Sequence, residues 1–269
     1  FTTDFQSINL KYNHPKIFSS FEFNSLIKSS YNAIYLKFKE ILDNLNPKPE
    51  QGINTDYPKN LKIIHNYRNI SKNSPAHTIK QVYLECYSDF LEKGYSVWAT
   101  DAAIFEEATG CAVCNISDNQ NFLFQVKENL SSLTGELIAI SRALEIIIED
   151  RIKKVIIFTD SLNACTLLER KNRSNYIAAH ILDVLNKNKA LKLKIVWCPS
   201  HTGLHFNERA DYFAKHAPES GCPMSIRYTV KEACRKIYNI LLDQWKQKYS
   251  EKQSNKGLVA KLIQRDWIK

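Results

Sequence analysis

Residues 154–161 read KVIIFTDS, in which four large apolar residues are followed by Thr159, Asp160 and Ser161. An uninterrupted apolar run of this length is typical of a strand that helices cover on both faces of a sheet. The polar residues that follow it are typical of the end of a strand and the start of a helix. We therefore predict a buried strand from Lys154 to Thr159 in an α/β fold.

The order of predicted elements on either side of this strand is typical of a mixed sheet. Three closely spaced strands precede it, which favours an antiparallel meander, and a long helix follows them. The predicted elements are strands at 95–101, 110–116, 121–126 and 193–198, and helices at 133–149, 162–170, 176–188 and 207–216. These elements predict a mixed five-stranded sheet, three antiparallel strands and then two parallel ones, with helices on both faces and further helices in the flanks.

The flanks differ from the middle in pattern and charge. We predict a helical N-terminal flank at 1–93 with a linker near 44–60, a catalytic domain at 94–217 and a basic helical flank at 218–269. Within the flanks, helical spacing predicts helices at 24–45, 77–91, 230–249 and 258–268. The net charge of +9 divides into +3 for residues 1–95, zero for 96–217 and +6 for 218–269. Basic flanks favour a polyanionic partner, although a solvated helix face has the same pattern.

Composition excludes several classes of protein. The chain of 269 residues and 31.1 kDa is 44% hydrophobic, with 7 glycines and 8 prolines, so it has enough apolar residues for a core and is not of low complexity. It has no stretch approaching the roughly 18 apolar residues of a membrane span. The start resembles no secretory signal, and seven cysteines show no disulfide pattern, so we expect an intracellular protein, nuclear or cytoplasmic. The only methionine is Met224, which favours a piece of a longer translation product.

Four acidic residues interrupt apolar elements of the middle section. Asp101 ends the first strand, Glu136 lies in the first turn of the most apolar helix, Asp160 follows the buried strand, and Asp211 is on the last helix. Helix capping, helix-dipole and surface roles remain open for each of them. Ligand sites in such sheets lie at strand ends, so Asp101 and Asp160 are expected side by side. Carboxylates that converge repel one another, and two Mg²⁺ ions would offset that repulsion and promote phosphodiester hydrolysis.

Five phrases of the sequence resemble a known family. They are Thr100-Asp101, TGELIAI at 134–140, VIIFTDS at 155–161, VWCPSHTGL at 196–204 and NERAD at 207–211. Their order and separation resemble the ribonuclease H domain of jockey-type non-LTR retrotransposons over about residues 95–217. The resemblance implies a ribonuclease H-like fold that cuts the RNA strand of an RNA–DNA hybrid, in a polyprotein with an upstream reverse transcriptase.

The same resemblance assigns roles to individual residues. Asp101, Glu136, Asp160 and Asp211 are expected to bind two Mg²⁺ or Mn²⁺ ions, and His201, on a loop with Pro199 and Gly203, to assist proton transfer or product release. Substrate contacts are expected from Ser161 and Asn163, although Ser161 is equally explained as a helix cap.

The phrase after Asp101 departs from the family. The family continues with Gly and Ser, where this chain has Ala102 and Ala103. A methyl is added and a hydroxyl is lost, which predicts retained chemistry with weaker substrate contact at these positions. Two alternatives remain open: a degenerate copy that binds nucleic acid without cutting it, and a cellular ribonuclease H of the host.

Overall fold

A computed structural model describes residues 56–70, 74–170 and 175–253. The strands are β1 (Leu61–Ile64), β2 (Ser96–Ile104), β3 (Thr109–Asn115), β4 (Gln120–Val126), β5 (Lys154–Thr159), β6 (Lys192–Trp197) and β7 (Cys222–Pro223). The helices are α1 (Ala76–Glu92), α2 (Ser132–Glu149), α3 (Leu162–Glu169), α4 (Tyr176–Lys187), α5 (His205–Ser220) and α6 (Val230–Gln253). No helix within these ranges is long and apolar enough to cross a membrane.

The strands form one mixed sheet in the order β1-β6-β5-β2-β3-β4-β7. β2, β3 and β4 are antiparallel neighbours, whereas β5 and β6 run parallel to β2. This arrangement confirms the predicted fold class. The sheet has two further edge strands that the sequence did not predict: β1 pairs in parallel with β6, and the two-residue β7 pairs with β4.

The core explains why the apolar run of β5 forms its centre. Val155 to Phe158 are fully buried, because helices cover both faces of the sheet. On one face, α1 and α5 enclose a cluster that includes Phe90, Phe158 and Phe206, and the rings of Phe158 and Phe206 lie 4.3 Å apart between centroids. α2 packs against β2 and β3, with α3 and α4 beside it.

The structure describes only part of the predicted flanks. The predicted helix at 77–91 corresponds to α1 and that at 230–249 to α6, while residues 61–64 of the N-terminal flank form β1. The helices predicted at 24–45 and 258–268, and most of the linker near 44–60, lie outside the described residues. The three-part domain division therefore stays a prediction.

Candidate active site

Sheet register brings Asp101 and Asp160 to adjacent positions. In the parallel pair of β2 and β5, Ala99 lies opposite Phe158, and each aspartate follows two residues later on its own chain segment. Glu136 approaches from the first turns of α2. One carboxylate oxygen from each of the three residues lies within 4.8 Å of the other two. Three residues separated by up to 59 positions along the chain thus form one acidic cluster.

Close packing between α2 and β2 places Glu136 at this cluster. Ser131 caps α2 by accepting a hydrogen bond from the amide of Thr134, which fixes where the helix starts. Next to Glu136, a methyl group on Gly135 would lie 2.9 Å from Cβ of Ala102, closer than two carbon atoms can approach. Glycine at 135 therefore permits the helix to lie against a strand that has alanine at 102.

Burial and mutual repulsion raise the pKa values of the cluster. Burial and the charge of Asp160 raise the pKa of Asp101 to about 6. Burial, followed by the charges of Asp101 and Asp160, raises the pKa of Glu136 well above its ordinary value. The pKa of Asp160 is also raised by burial, against a hydrogen bond from Asn207 that favours the ionised form. In the absence of a cation, the cluster holds protons that isolated carboxyls would release.

The donor set fits a divalent cation. Glu136 is 3% exposed, and its Oε2 atom is buried without a hydrogen-bond partner in the described part of the chain. A buried carboxylate oxygen without a partner costs free energy, and a cation bound beside it would remove that cost. Carboxylate oxygens are the ligands that Mg²⁺ prefers. Asp101, Glu136 and Asp160 are thus suited to hold such an ion.

Asp211 is not part of the three-residue cluster. It lies on α5, and its Oδ2 atom accepts a hydrogen bond from Nζ of Lys215, one helical turn later, at 2.6 Å. The residue is still within electrostatic reach, because its charge contributes to the raised pKa values of Asp101 and Asp160. The structure therefore places Asp211 at the border of the site, with its carboxylate engaged by a lysine.

His201 lies on the loop between β6 and α5. It is exposed, and its φ of 55° is in the left-handed region that residues other than glycine seldom adopt. A positive charge on His201 favours the ionised form of Asp160 and so acts to lower the pKa of that carboxyl. His201 is thus exposed and within electrostatic reach of Asp160, and its expected role in proton transfer or product release stays a prediction.

Sequence reasoning missed Asn207 as a member of the site. This residue is 4% exposed in the first turn of α5, hydrogen-bonds to Asp160 and accepts a hydrogen bond from the thiol of Cys198 through Oδ1. Its spacing held the signal: Asn207 precedes Asp211 by four residues, so both lie on one helix face. The indole of Trp197 donates a further hydrogen bond, 3.0 Å long, to the carbonyl of Asp160.

The expected substrate contacts differ in their surroundings. The hydroxyl of Ser161 caps α3 by accepting a hydrogen bond from the amide of Ala164, so its structural role is realised. Asn163 is exposed beside it in the first turn of α3. Ala102 and Ala103 are half-buried on β2, and the methyl of Ala102 faces Gly135. Asn163 is thus exposed to solvent, Ala102 and Ala103 are only partly so, and the expected substrate contacts stay predictions.

The C-terminal flank also contacts the start of α2. Glu232 of α6 is 4% exposed and accepts hydrogen bonds from the amide of Ser131 and the hydroxyl of Thr134, at 2.9 and 2.7 Å. Arg235 pairs with the same carboxylate at 3.0 Å. These charge-assisted bonds hold the loop and first turn that precede Glu136. Composition alone gave no signal of this contact.

Comparison with known proteins agrees with this geometry. Residues 93–219, a little under half of the chain, match the sequence model of the RNase H family. No curated protein matches the chain. The matched range contains the three clustered carboxylates together with Asp211, His201 and Asn207. The match supports a ribonuclease H domain at residues 93–219.

Proposed function

We propose that this domain hydrolyses the RNA strand of RNA–DNA hybrids with two divalent cations, Mg²⁺ or Mn²⁺, as part of a retroelement polyprotein. The observation that carries the proposal is the cluster of Asp101, Glu136 and Asp160 within 4.8 Å, of which the first two are buried, inside the range that matches the RNase H family. The ordered phrases of the sequence support the retroelement context and a linkage to an upstream reverse transcriptase.

Each residue of the site has a chemical role in this proposal. Asp101, Glu136 and Asp160 would hold the cations, and Asp211 would complete the set if its carboxylate left Lys215. Bound divalent cations supply an activated water and stabilise the charge that develops on the leaving oxygen. Asn207 orients the carboxylate of Asp160, and His201 exchanges protons with the phosphate from its exposed loop.

Substrate selection rests on residues around the cluster. Contacts to 2′-hydroxyl groups distinguish RNA from DNA, and in this proposal Ser161 and Asn163, at the start of α3, make them. Ala103 has no hydroxyl to donate, so the strand after Asp101 contributes less to binding than a Gly-Ser pair would. We accordingly expect cleavage with a weakened affinity for the hybrid.

The test is cleavage of a hybrid with labelled RNA in the presence of Mg²⁺. The wild-type chain should release shortened RNA, and Asp160→Asn should reduce the rate by about 10³-fold, the scale for losing a principal electrostatic stabiliser. Asp183→Asn is the matched control, because Asp183 is a half-buried aspartate on α4 that pairs only with Lys187 among the described residues. Equal rates for wild type and Asp160→Asn would exclude the proposed chemistry.

A second function, binding of nucleic acid without cleavage, is favoured by one observation. Lys215 engages Asp211 at 2.6 Å, and a domain in which that pair persisted would have three carboxylates where the proposal uses four. The same assay separates the two functions. Retention of the hybrid in a gel shift without shortened RNA, at all Mg²⁺ and Mn²⁺ concentrations, would favour binding alone.

A further inference from the structure

Six lysines gather where strands β1, β5 and β6 begin. We call this surface the lysine edge and define it as Lys59, Lys62, Lys154, Lys189, Lys192 and Lys194. All six except Lys154 line an open concavity of about 390 Å³, and among the residues that the structure describes no acidic one lines it. Five of the six side chains are exposed, and Lys194 is half-buried. A concave surface with one sign of charge is suited to a ligand of the opposite sign.

Strand register places these charges in repelling pairs. Lys62 lies opposite Lys194 in the pairing of β1 with β6, and Lys154 lies opposite Lys192 in the pairing of β5 with β6. Partners in register face the same side of a sheet, as do residues two apart on one strand, so all four share one face. Like charges directly opposite one another destabilise a sheet, so the pairing of these lysines is itself unfavourable for the fold.

The surroundings hold the charges in place without neutralising them. Nζ of Lys194 lies 4.5 Å from the ring centroid of Phe90 and 5.0 Å from that of Tyr95, and Nζ of Lys154 lies 5.9 Å from Tyr95. None of the six lysines forms an ion pair with an acidic side chain within the described ranges. Cation–π contacts fix the position of an ammonium group and leave its charge available.

Hydrogen bonds of Asn60 hold together the two chain segments that carry most of the lysine edge. Its side-chain NH₂ group donates to the backbone carbonyls of Leu185, Asn188 and Leu191, at 3.2, 3.1 and 2.8 Å. The backbone carbonyl of Asn60 accepts from the backbone amide of Leu193 at 2.9 Å. These bonds tie the start of β1 to the turn that connects α4 to β6. Lysines from two distant parts of the chain are thereby held on one surface.

From this arrangement we infer that the lysine edge binds the phosphodiester backbone of a nucleic acid at a site separate from the acidic cluster. Lys154 and Asp160 mark opposite ends of β5, about 20 Å apart at a rise of roughly 3.3 Å per residue. A nucleic-acid strand carries a charge for about every 3.4 Å of its axis, and so it meets a row of cations at any register. The ring of Tyr95 already contacts Lys154 and Lys194, so the choice of nucleic acid over an acidic peptide rests on the even spacing of backbone phosphates along the row of lysines.

The test is the salt dependence of binding by the full chain to a labelled DNA duplex in EDTA, which removes divalent cations from the acidic cluster. In the variant Lys62→Gln/Lys192→Gln/Lys194→Gln, the slope of log affinity against log salt should fall by about 2 to 3, since each phosphate contact contributes about 0.9. The matched control is Lys127→Gln/Lys231→Gln/Lys246→Gln, which removes three exposed lysines elsewhere. The control should change the slope by less than one.

A competitor, a replacement variant and a cleavage assay complete the test. Equal slope changes in both triple variants would overturn the inference, as would displacement of the DNA by poly-glutamate at matched charge, which would indicate an acidic protein partner. Should the first variant fold poorly in thermal denaturation, Lys59→Gln/Lys62→Gln/Lys192→Gln replaces it, because all three of its lysines are exposed. Cleavage of a short hybrid should be unchanged in the lysine variants. If the wild-type chain did not cleave the hybrid, the proposed function would be refuted, but the salt dependence would still test the lysine edge.

Discussion

The two ends of the parallel strands carry opposite charges in opposite settings. At the carboxyl ends, Asp101, Glu136 and Asp160 converge, and two of the three are buried. At the amino ends, the lysine edge spreads its charges over an open surface. Like charges cost free energy at both ends, but burial makes that cost much larger for the carboxylates. The buried end is therefore suited to a small, strongly bound cation, and the exposed end to a long polyanion held by many weak contacts.

The largest expected effect is at the buried end. Glu136→Gln should lower the rate of hybrid cleavage by about 10³-fold, because the amide cannot supply a charged ligand. Its free energy of unfolding in EDTA should equal or exceed that of the wild type, because a buried carboxyl is replaced by a neutral group of the same shape. Single-turnover cleavage and urea denaturation measure the two quantities.

The control for this substitution lies on the same helix. Glu149→Gln removes an exposed carboxylate from the far end of α2 and should change neither rate nor stability appreciably. A Glu136→Gln variant that loses stability together with activity would indicate that the buried glutamate stabilises the fold and is not there to bind a cation.

The next effect tests how the buried end is packed. Gly135→Ala should destabilise the protein by about 1–2 kcal/mol, since overpacking costs about 1–3 kcal/mol and the better helix propensity of alanine returns up to about 1 kcal/mol. The new methyl would lie 2.9 Å from Cβ of Ala102 and also 3.2 Å from Cδ1 of Ile104, so adding Ala102→Gly should recover part of the loss. Urea denaturation of the single and double variants gives the coupling energy.

A matched double variant checks that the coupling is local. Ala103→Gly changes the neighbouring residue of β2, whose side chain points to the other side of the strand, and should not rescue Gly135→Ala. If Ala102→Gly and Ala103→Gly rescued stability equally, the strand would relax as a whole and Ala102 would have no particular contact with α2.

Local pattern predicted the elements that build the acidic cluster. The apolar run of β5 has the same bounds in the structure as in the sequence prediction, Lys154 to Thr159. The carboxylates interrupt apolar elements, and such interruptions are visible in the sequence alone. By contrast, β1 consists of four residues with one buried side chain, and only its pairing with β6, about 130 positions away, makes it a strand.

Long-range contacts explain what the sequence left out. Asn207 hydrogen-bonds to an aspartate 47 positions earlier, and Glu232 reaches the amide of Ser131, 101 positions earlier. The lysines of β1, β5 and β6 look like ordinary solvated charges in sequence, and only strand register places them opposite one another. Patterns in sequence predict which elements form, whereas the partners of single polar groups depend on the assembled fold.

A smaller effect concerns the competition between protons and cations at the buried end. The raised pKa of Asp101, about 6 against an ordinary value of about 3.9, means that the metal-free native state binds its proton more tightly than the unfolded chain does. The free energy of unfolding in EDTA should therefore fall as pH rises from about 4 to 6 through this group. Mg²⁺ binds the ionised form, so its stabilising effect should be greater at pH 7.5 than at pH 5 by about 1.4 kcal/mol.

Thermal denaturation with and without Mg²⁺ at the two pH values measures this difference. Asp101→Asn removes one of the titrating groups and should reduce the pH dependence of the Mg²⁺ effect, and the remainder comes from Glu136 and Asp160, whose pKa values are also raised. An equal increase in Tm at both pH values in the wild type would show that the cation does not bind at these carboxylates.

The smallest effect is at the exposed end. Lys62→Glu converts a repelling cross-strand pair with Lys194 into an attractive one, and should raise the free energy of unfolding by about 0.5 kcal/mol at low salt. The gain should disappear at high salt, because exposed charges are screened. Urea denaturation at two salt concentrations measures it, with Lys127→Glu as the control for an exposed lysine elsewhere. The same variant should bind DNA less tightly, and a substitution that stabilises the fold while it weakens binding identifies Lys62 as a residue whose charge serves a ligand. A loss of stability on Lys62→Glu would instead mean that the lysine already has a stabilising partner, and the two ends of the sheet would then differ in more than burial.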